Sequence, residues 1–165
     1  MQIAEILLAQ VERETAATRK VVERVPDGKD DWKPHPKSMA MGYLSSLVAM
    51  MFGWIASIVE RDHLDLATGQ APVIMTGAER LALFDKSVAA ARQALSNTTD
   101  EHLMKNWQLR VGGNVVDEKP RYAMIGDTLA HLAHHRGQLT VYLRLNDQPV
   151  PSIYGPTADE GWQGK

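Results

Sequence analysis

Thr128-Leu129-Ala130-His131-Leu132-Ala133-His134-His135-Arg136-Gly137-Gln138-Leu139 is the stretch whose reading decides the fold. It holds three of the chain's six histidines. On a helix, His131 and His135 lie about one turn apart on the same face. Two imidazoles so placed bite one metal ion from one side, as in other helical metal motifs. The plainer reading of the same spacing is a pair hydrogen-bonded within a helical bundle. His134, rotated roughly 100° from His135, belongs to the surface or to an outer shell rather than to a ligand set.

The helix that carries this stretch runs from Pro120, suited to a first turn, to about Leu145. One face holds Ile125, Leu129, Leu132, Leu139 and Leu143. An adjacent face holds Thr128, His131, His135, Gln138 and Tyr142. Gln138 and Tyr142 either orient a histidine ring from behind or satisfy one another in a buried polar patch. Arg136 reads as an ion-pair or carbonyl-capping residue, with anion binding near the cavity as the alternative. Gly137 reads as a place where a neighbouring helix or the tail comes close, at a helix-propensity cost of about 1 kcal/mol. Beyond the helix, Pro149-Val150-Pro151-Ser152-Ile153-Tyr154-Gly155-Pro156 reads as an extended tail that packs on the bundle, Tyr154 included.

Upstream, Trp107-Gln108-Leu109-Arg110-Val111 alternates, Gly112-Gly113-Asn114 turns and Val115-Val116 resumes. This predicts a short hairpin or lid. Residues 76–96 form a helix with a capping box from Thr76 to Glu79 and a seam of Leu81, Phe84, Val88, Ala91 and Leu95. Residues 60–75 are a connector with Gly69 and Pro72; His63 here, and His102 further on, read as solvated. Met39 to Val59 carries no charge. By length alone it suits a membrane span, but its serines, its glycines and its weak flanks argue for a buried helix. In a small bundle the side facing away from the core then calls for a second copy of the chain. This predicts an isologous homodimer through Met50, Met51, Trp54 or their neighbours. Met50 and Met51 read as core filler rather than ligands.

The loop Asp31-Trp32-Lys33-Pro34-His35-Pro36-Lys37-Ser38 is barred from helix by its prolines. Trp32 reads as a plug on one end of the core and Ser38 as an N-cap. Residues 2–25 form the first helix. Ile3, Ile6, Leu7, Val11, Thr18, Val21, Val22 and Val25 make its apolar stripe; Glu5, Glu12, Arg13, Glu14, Arg19 and Lys20 fill the other face; and Pro26-Asp27-Gly28 stops it.

With 165 residues, 23% charged and 44% hydrophobic, the chain reads as one globular domain spanning 1–165. A net charge of −2 without basic runs argues against nucleic acid as the main partner. No cysteine is present, so any metal is held by His, Asp or Glu. The N-terminal pattern does not read as a signal peptide, and a cytoplasmic location is expected.

His131-x-x-His134-His135-Arg136-Gly137-Gln138-Leu139, then Val141-Tyr142-Leu143-Arg144, then Pro149-Val150-Pro151-x-x-Tyr154-Gly155-Pro156-x-Ala158-Asp159-Glu160 resembles the DinB-like family. So does Val25-Pro26-Asp27 followed by Trp32-Lys33-Pro34-His35-Pro36-Lys37-Ser38-Met39. The resemblance covers most of the chain from about residue 25 to 160. It implies an all-α fold, a dimeric four-helix bundle with a long crossover. It also implies a divalent metal, Zn or Ni, on three histidines, of which the helix-four pair carries over to His131 and His135. Relatives include thiol-dependent transferases and isomerases that use the metal to activate a low-molecular-weight thiol such as bacillithiol or mycothiol.

The sequence departs from that pattern at the helix-two ligand. Counting back from Trp54, the matching segment is Leu44-Ser45-Ser46-Leu47-Val48-Ala49, and Leu47 stands where the family has histidine. Two protein nitrogens remain where a tight site has three or more, with waters or the distant His35 as completing groups. Two readings follow. One is a metal-dependent thiol transferase or hydrolase acting on a small molecule. The other is a non-catalytic dimeric scaffold or small-molecule binder that has lost full metal coordination.

Overall fold

The computed structural model describes residues 2–68 and 73–162. Helices dominate: α1 (Ile3–Val22), α2 (Met41–Glu60), α3 (Gly77–Ser96), α4 (Asp100–Leu103) and α5 (Arg121–Leu145). Three strands accompany them: β1 (His63–Asp65), β2 (Asn106–Val111) and β3 (Asn114–Pro120). The all-α expectation is therefore corrected to a mostly helical fold with a three-stranded sheet. The β2–β3 hairpin was expected. The third strand was not, because His63-Leu64-Asp65 is too short to show a period and its parallel partner, Gln108 to Arg110, lies far along the chain. The breakers Gly69 and Pro72 lie outside the described residues.

The four long helices share one core. α2 packs against α3 and α5, and α1 packs against the same two. Thr76 caps α3 as expected: its hydroxyl accepts from the Glu79 amide, and Glu79 Oε2 accepts from the Thr76 amide at 2.9 Å. Ser38 does not cap α2, which begins two residues later behind Ala40 without a side-chain cap. Trp32 meets Tyr142 edge-to-face at 5.3 Å and covers the end of the core where α2 starts.

α2 is long and apolar enough to cross a membrane, and most of it is buried inside the fold. Its neighbours cover most of its apolar surface within a single chain. Met51 is 0% exposed, so of the three residues expected at a dimer interface only Met50 and Trp54 keep surface. Glu14, expected on the charged face of α1, is buried as well. Ile6, expected in the apolar stripe, is exposed.

Candidate functional site

α2 and α5 run antiparallel. Near one end the Tyr142 hydroxyl donates to the Met39 carbonyl at 3.1 Å; near the other the Trp54 and His131 rings lie 5.8 Å apart. Between these contacts, positions 47, 50, 51 and 54 of α2 fall on one helical face. They carry Leu, Met, Met and Trp. α2 therefore brings no nitrogen or oxygen ligand to α5 along this face.

On α5 the expected pair converges. His131 Nε2 and His135 Nε2 are 2.8 Å apart, with ring centroids at 4.5 Å. His135 Nδ1–H donates to Gln138 Oε1 at 2.8 Å. This leaves the His135 Nε2 lone pair to accept from His131 Nε2–H. Gln138 Nε2–H in turn donates to His134 Nε2 at 3.1 Å. The chain His131, His135, Gln138, His134 is thus complete with every member on one helix. Gln138 takes the orienting role open to it. Tyr142 takes neither of its expected roles, because its hydroxyl is committed to Met39. His135 is buried at 6% exposure, while His131 keeps an exposed edge. Burial lowers the pKa of His131, and the neighbouring His135 and His134 lower it further.

This donor set does not fit a tightly held metal ion. Among the described residues no group of three His, Asp or Glu side chains is placed to hold one. His35 stays in its loop, where its Nδ1 accepts from the Lys37 amide. The two Nε2 atoms sit at hydrogen-bond distance, whereas a tetrahedral ion with bonds of about 2.0–2.1 Å spaces its nitrogens roughly 3.3 Å apart.

Beside His131 lies a cavity of about 260 Å³. Trp54 and Ile58 of α2, Leu64 of β1, Trp107 and Leu109 of β2 and Met124 of α5 give it apolar walls. Asp117 and Asp127 are its carboxylates. These two were not anticipated. Asp117 sits opposite Leu109 in the hairpin register, and Lys119 sits opposite Trp107, so both share the cavity-facing side of the sheet. The alternation that places them was visible, but the pairing register was not. A larger hollow of about 370 Å³ along α1, beside Ile6 and Ala9, touches neither histidine.

Two further expectations change. Gly137 has no close neighbour among the described residues: a Cβ there would meet none of their atoms within 4 Å. His102 is not solvated; its Nε2–H donates to the Val59 carbonyl at 2.7 Å and ties α4 to the end of α2.

The fold and site together define a small helical protein with a histidine pair at the edge of an apolar pocket roofed by a hairpin. The chain belongs to the DinB superfamily, whose model matches residues 10–139. It is 27% identical over 164 residues to YrdA of Bacillus subtilis strain 168, an uncharacterized protein, covering 96% of this chain and 92% of that one. A DinB-like protein from Bacillus cereus superposes with a TM-score of 0.73 at 23% identity, covering 91% of this chain and 97% of that one. The DinB-like YjoA from Bacillus subtilis superposes with a TM-score of 0.70 at 17% identity, covering 89% and 96%.

Proposed function

We propose that this protein is a cytoplasmic small-molecule binder, on a four-helix-bundle frame, whose metal centre is reduced to a histidine pair. The observation that carries the reading is the face of α2 toward α5, which offers Leu47, Met50, Met51 and Trp54 where a third ligand is required. The cavity beside His131 is apolar and edged by a few polar groups, which is the usual composition of a small-molecule site. An ion entering between His131 and His135 is held by those two nitrogens and water alone, and so weakly. In a homodimer, contact falls on the part of α2 that the chain leaves half-buried, Met50 and Trp54; a monomer by sedimentation at micromolar concentration excludes this.

One observation favours the second reading, a metal-dependent thiol transferase or hydrolase. Gln138 fixes the His135 tautomer through Nδ1, the way outer-shell groups aim metal-bound histidines. Metal analysis of protein purified without a histidine tag separates the two. The binder reading expects little Zn or Ni in the wild type and roughly a hundredfold tighter Zn²⁺ binding in Leu47→His, with a third nitrogen restored. Near-stoichiometric metal in the wild type, lost in His131→Ala and His135→Ala, overturns it.

A further inference from the structure

Besides its apolar walls and the aromatic faces of Trp54 and Trp107, the cavity is lined by Asp117, Asp127, Thr128 and His131. Three of these four are already engaged. The Lys119 ammonium lies 2.8 Å from Asp117 and 2.6 Å from Asp127. The Thr128 hydroxyl donates to the Met124 carbonyl at 2.9 Å within α5. His131 differs. Its Nε2–H is committed to His135, and a neutral imidazole protonated on Nε2 carries a bare lone pair on Nδ1. That nitrogen has no hydrogen-bond partner among the described residues.

The shape of the ring sets where the lone pair points. The in-plane directions at the two nitrogens of an imidazole lie on nearly opposite sides of the ring. His131 Nε2 is aimed along α5 at His135, one turn further on. Nδ1 is therefore aimed back along the helix. On that side Met124, Asp127 and Thr128 line the cavity together with His131. The Trp54 ring, 5.8 Å from that of His131, walls the same spot from α2. Gln138 sets the polarity of the whole chain: its Oε1 accepts from His135 Nδ1–H, which leaves the lone pairs to point toward His131 and, from His131, toward the cavity.

We propose that the cavity takes a flat, uncharged, apolar molecule bearing one hydroxyl, and that His131 Nδ1 accepts the hydrogen bond from that hydroxyl. The proposal rests on the small-molecule reading above and names the class of molecule. A volume of about 260 Å³ lies just under the roughly 300–1,000 Å³ of drug-sized sites and suits a body of two fused rings. Trp54 and Trp107 supply its aromatic contacts. Gln138 is a positioning residue: it acts through His135, by holding the proton off His131 Nδ1.

The test is calorimetric titration of the full, chelator-treated chain with naphthol, methylnaphthalene and quinoline, at a pH where all three are uncharged. The three share one bicyclic body and carry, in turn, a donor, no polar group and an acceptor alone. Naphthol is expected to bind about five- to tenfold tighter than methylnaphthalene, the net worth of one neutral hydrogen bond, and quinoline weakest. His131→Phe keeps a ring in the wall and removes the acceptor, so naphthol and methylnaphthalene should then bind alike. Gln138→Leu releases the tautomer and should shrink the preference for naphthol. Nitrogen NMR gives a signature that a merely structural histidine would not: the His131 Nδ1 resonance should be that of a bare ring nitrogen and should move with naphthol but not with methylnaphthalene. Equal binding of naphthol and methylnaphthalene, or a preference that survives His131→Phe, overturns the hydroxyl assignment and leaves the small-molecule reading standing. A preference for quinoline places the proton on Nδ1 and overturns it as well. An unchanged preference in Gln138→Leu overturns the positioning role. Binding of none of the three overturns both the hydroxyl assignment and the small-molecule reading.

Discussion

His135 and Arg136 are neighbours in sequence, both buried, and they sit in opposite kinds of polar environment. Arg136 is held by two other elements, α1 and the C-terminal tail. Its guanidinium pairs with Glu14 at 2.8 Å and donates to Thr18 Oγ1 at 2.9 Å, both on α1. It also donates to the Tyr154 hydroxyl on the tail, whose ring lies against it at 5.1 Å. Tyr154 closes the circuit by donating to Glu14 Oε2 at 2.6 Å. Among the described residues, His135 has polar partners only from its own helix, His131 and Gln138. A buried charge with partners from several elements acts as structural glue, because removing any partner strands the rest. A polar chain confined to one helix and lying beside a cavity contributes little to the fold and is free to serve a ligand.

The sharpest way to break this contrast is to truncate each neighbour. Arg136→Met leaves the Glu14 carboxylate buried without its charge partner and should cost about 3–5 kcal/mol, read from the urea midpoint. His135→Asn should cost far less. Comparable losses would mean that the histidine chain is also structural, which would undercut its assignment to function.

Tyr154→Phe is next in size. It removes one hydroxyl that serves both Glu14 and Arg136, so a loss of about 1–2 kcal/mol is expected. The tail should loosen with it. Its other ties run from Glu160 to Arg24 and from Asp159 to Arg144. Hydrogen exchange should accelerate across 150–160 and stay unchanged at His135.

Acid unfolding separates the two networks by pH. Burial pushes the Glu14 carboxyl up, but hydrogen bonds from Tyr154 and Arg136, the charge of Arg136 and a hydrogen bond from Arg13 together bring it below its ordinary value of 4.5. A depressed carboxyl stabilises the fold above that value and loses the contribution as pH falls through its folded pKa. His131 is depressed below 6.5, chiefly by burial. Its unfolded form takes up the proton first, so stability begins to fall once pH drops below 6.5. In chelator-treated protein, His131→Asn should flatten the stability curve just below pH 6.5, and Glu14→Gln should flatten it below 4.5. A flattened upper window in Glu14→Gln would show the two networks to be coupled.

How much of this was legible in the sequence follows from which contacts are local. The convergence of His131 and His135 is a one-turn relation on a single helix, and helical spacing alone states it. The Thr76–Glu79 cap is equally local. Glu14 was misplaced because its partners, Arg136 and Tyr154, lie more than a hundred residues away, and on its own helix it looks like any charge beside Arg13. Asp117 and Lys119 went unread for a related reason: their facing depends on a register with Trp107 and Leu109 that includes a shift between Leu109 and Arg110. The short β1 depends on a partner from another part of the chain. The place of Leu47 on α2 was legible too, because its distance from Trp54 along one helix fixes it.

The smallest expected effect concerns the third direction α5 presents. Gly137 follows Arg136 directly, is exposed, and would place a Cβ against nothing within 4 Å. Its backbone is helical, so alanine adopts it without strain. The expectation that glycine here makes room for a close neighbour thus has no neighbour among the described residues to support it. Gly137→Ala should then stabilise the protein by about 0.5–1 kcal/mol, by restricting the unfolded chain and favouring helix. The gain should appear in the urea midpoint with no change in slope, because no new surface is buried. A loss instead of a gain, growing with protein concentration, would mean that a second copy of the chain packs against this face of α5. That would move the dimer contact from Met50 and Trp54 to the side of the helix that turns away from the histidine pair.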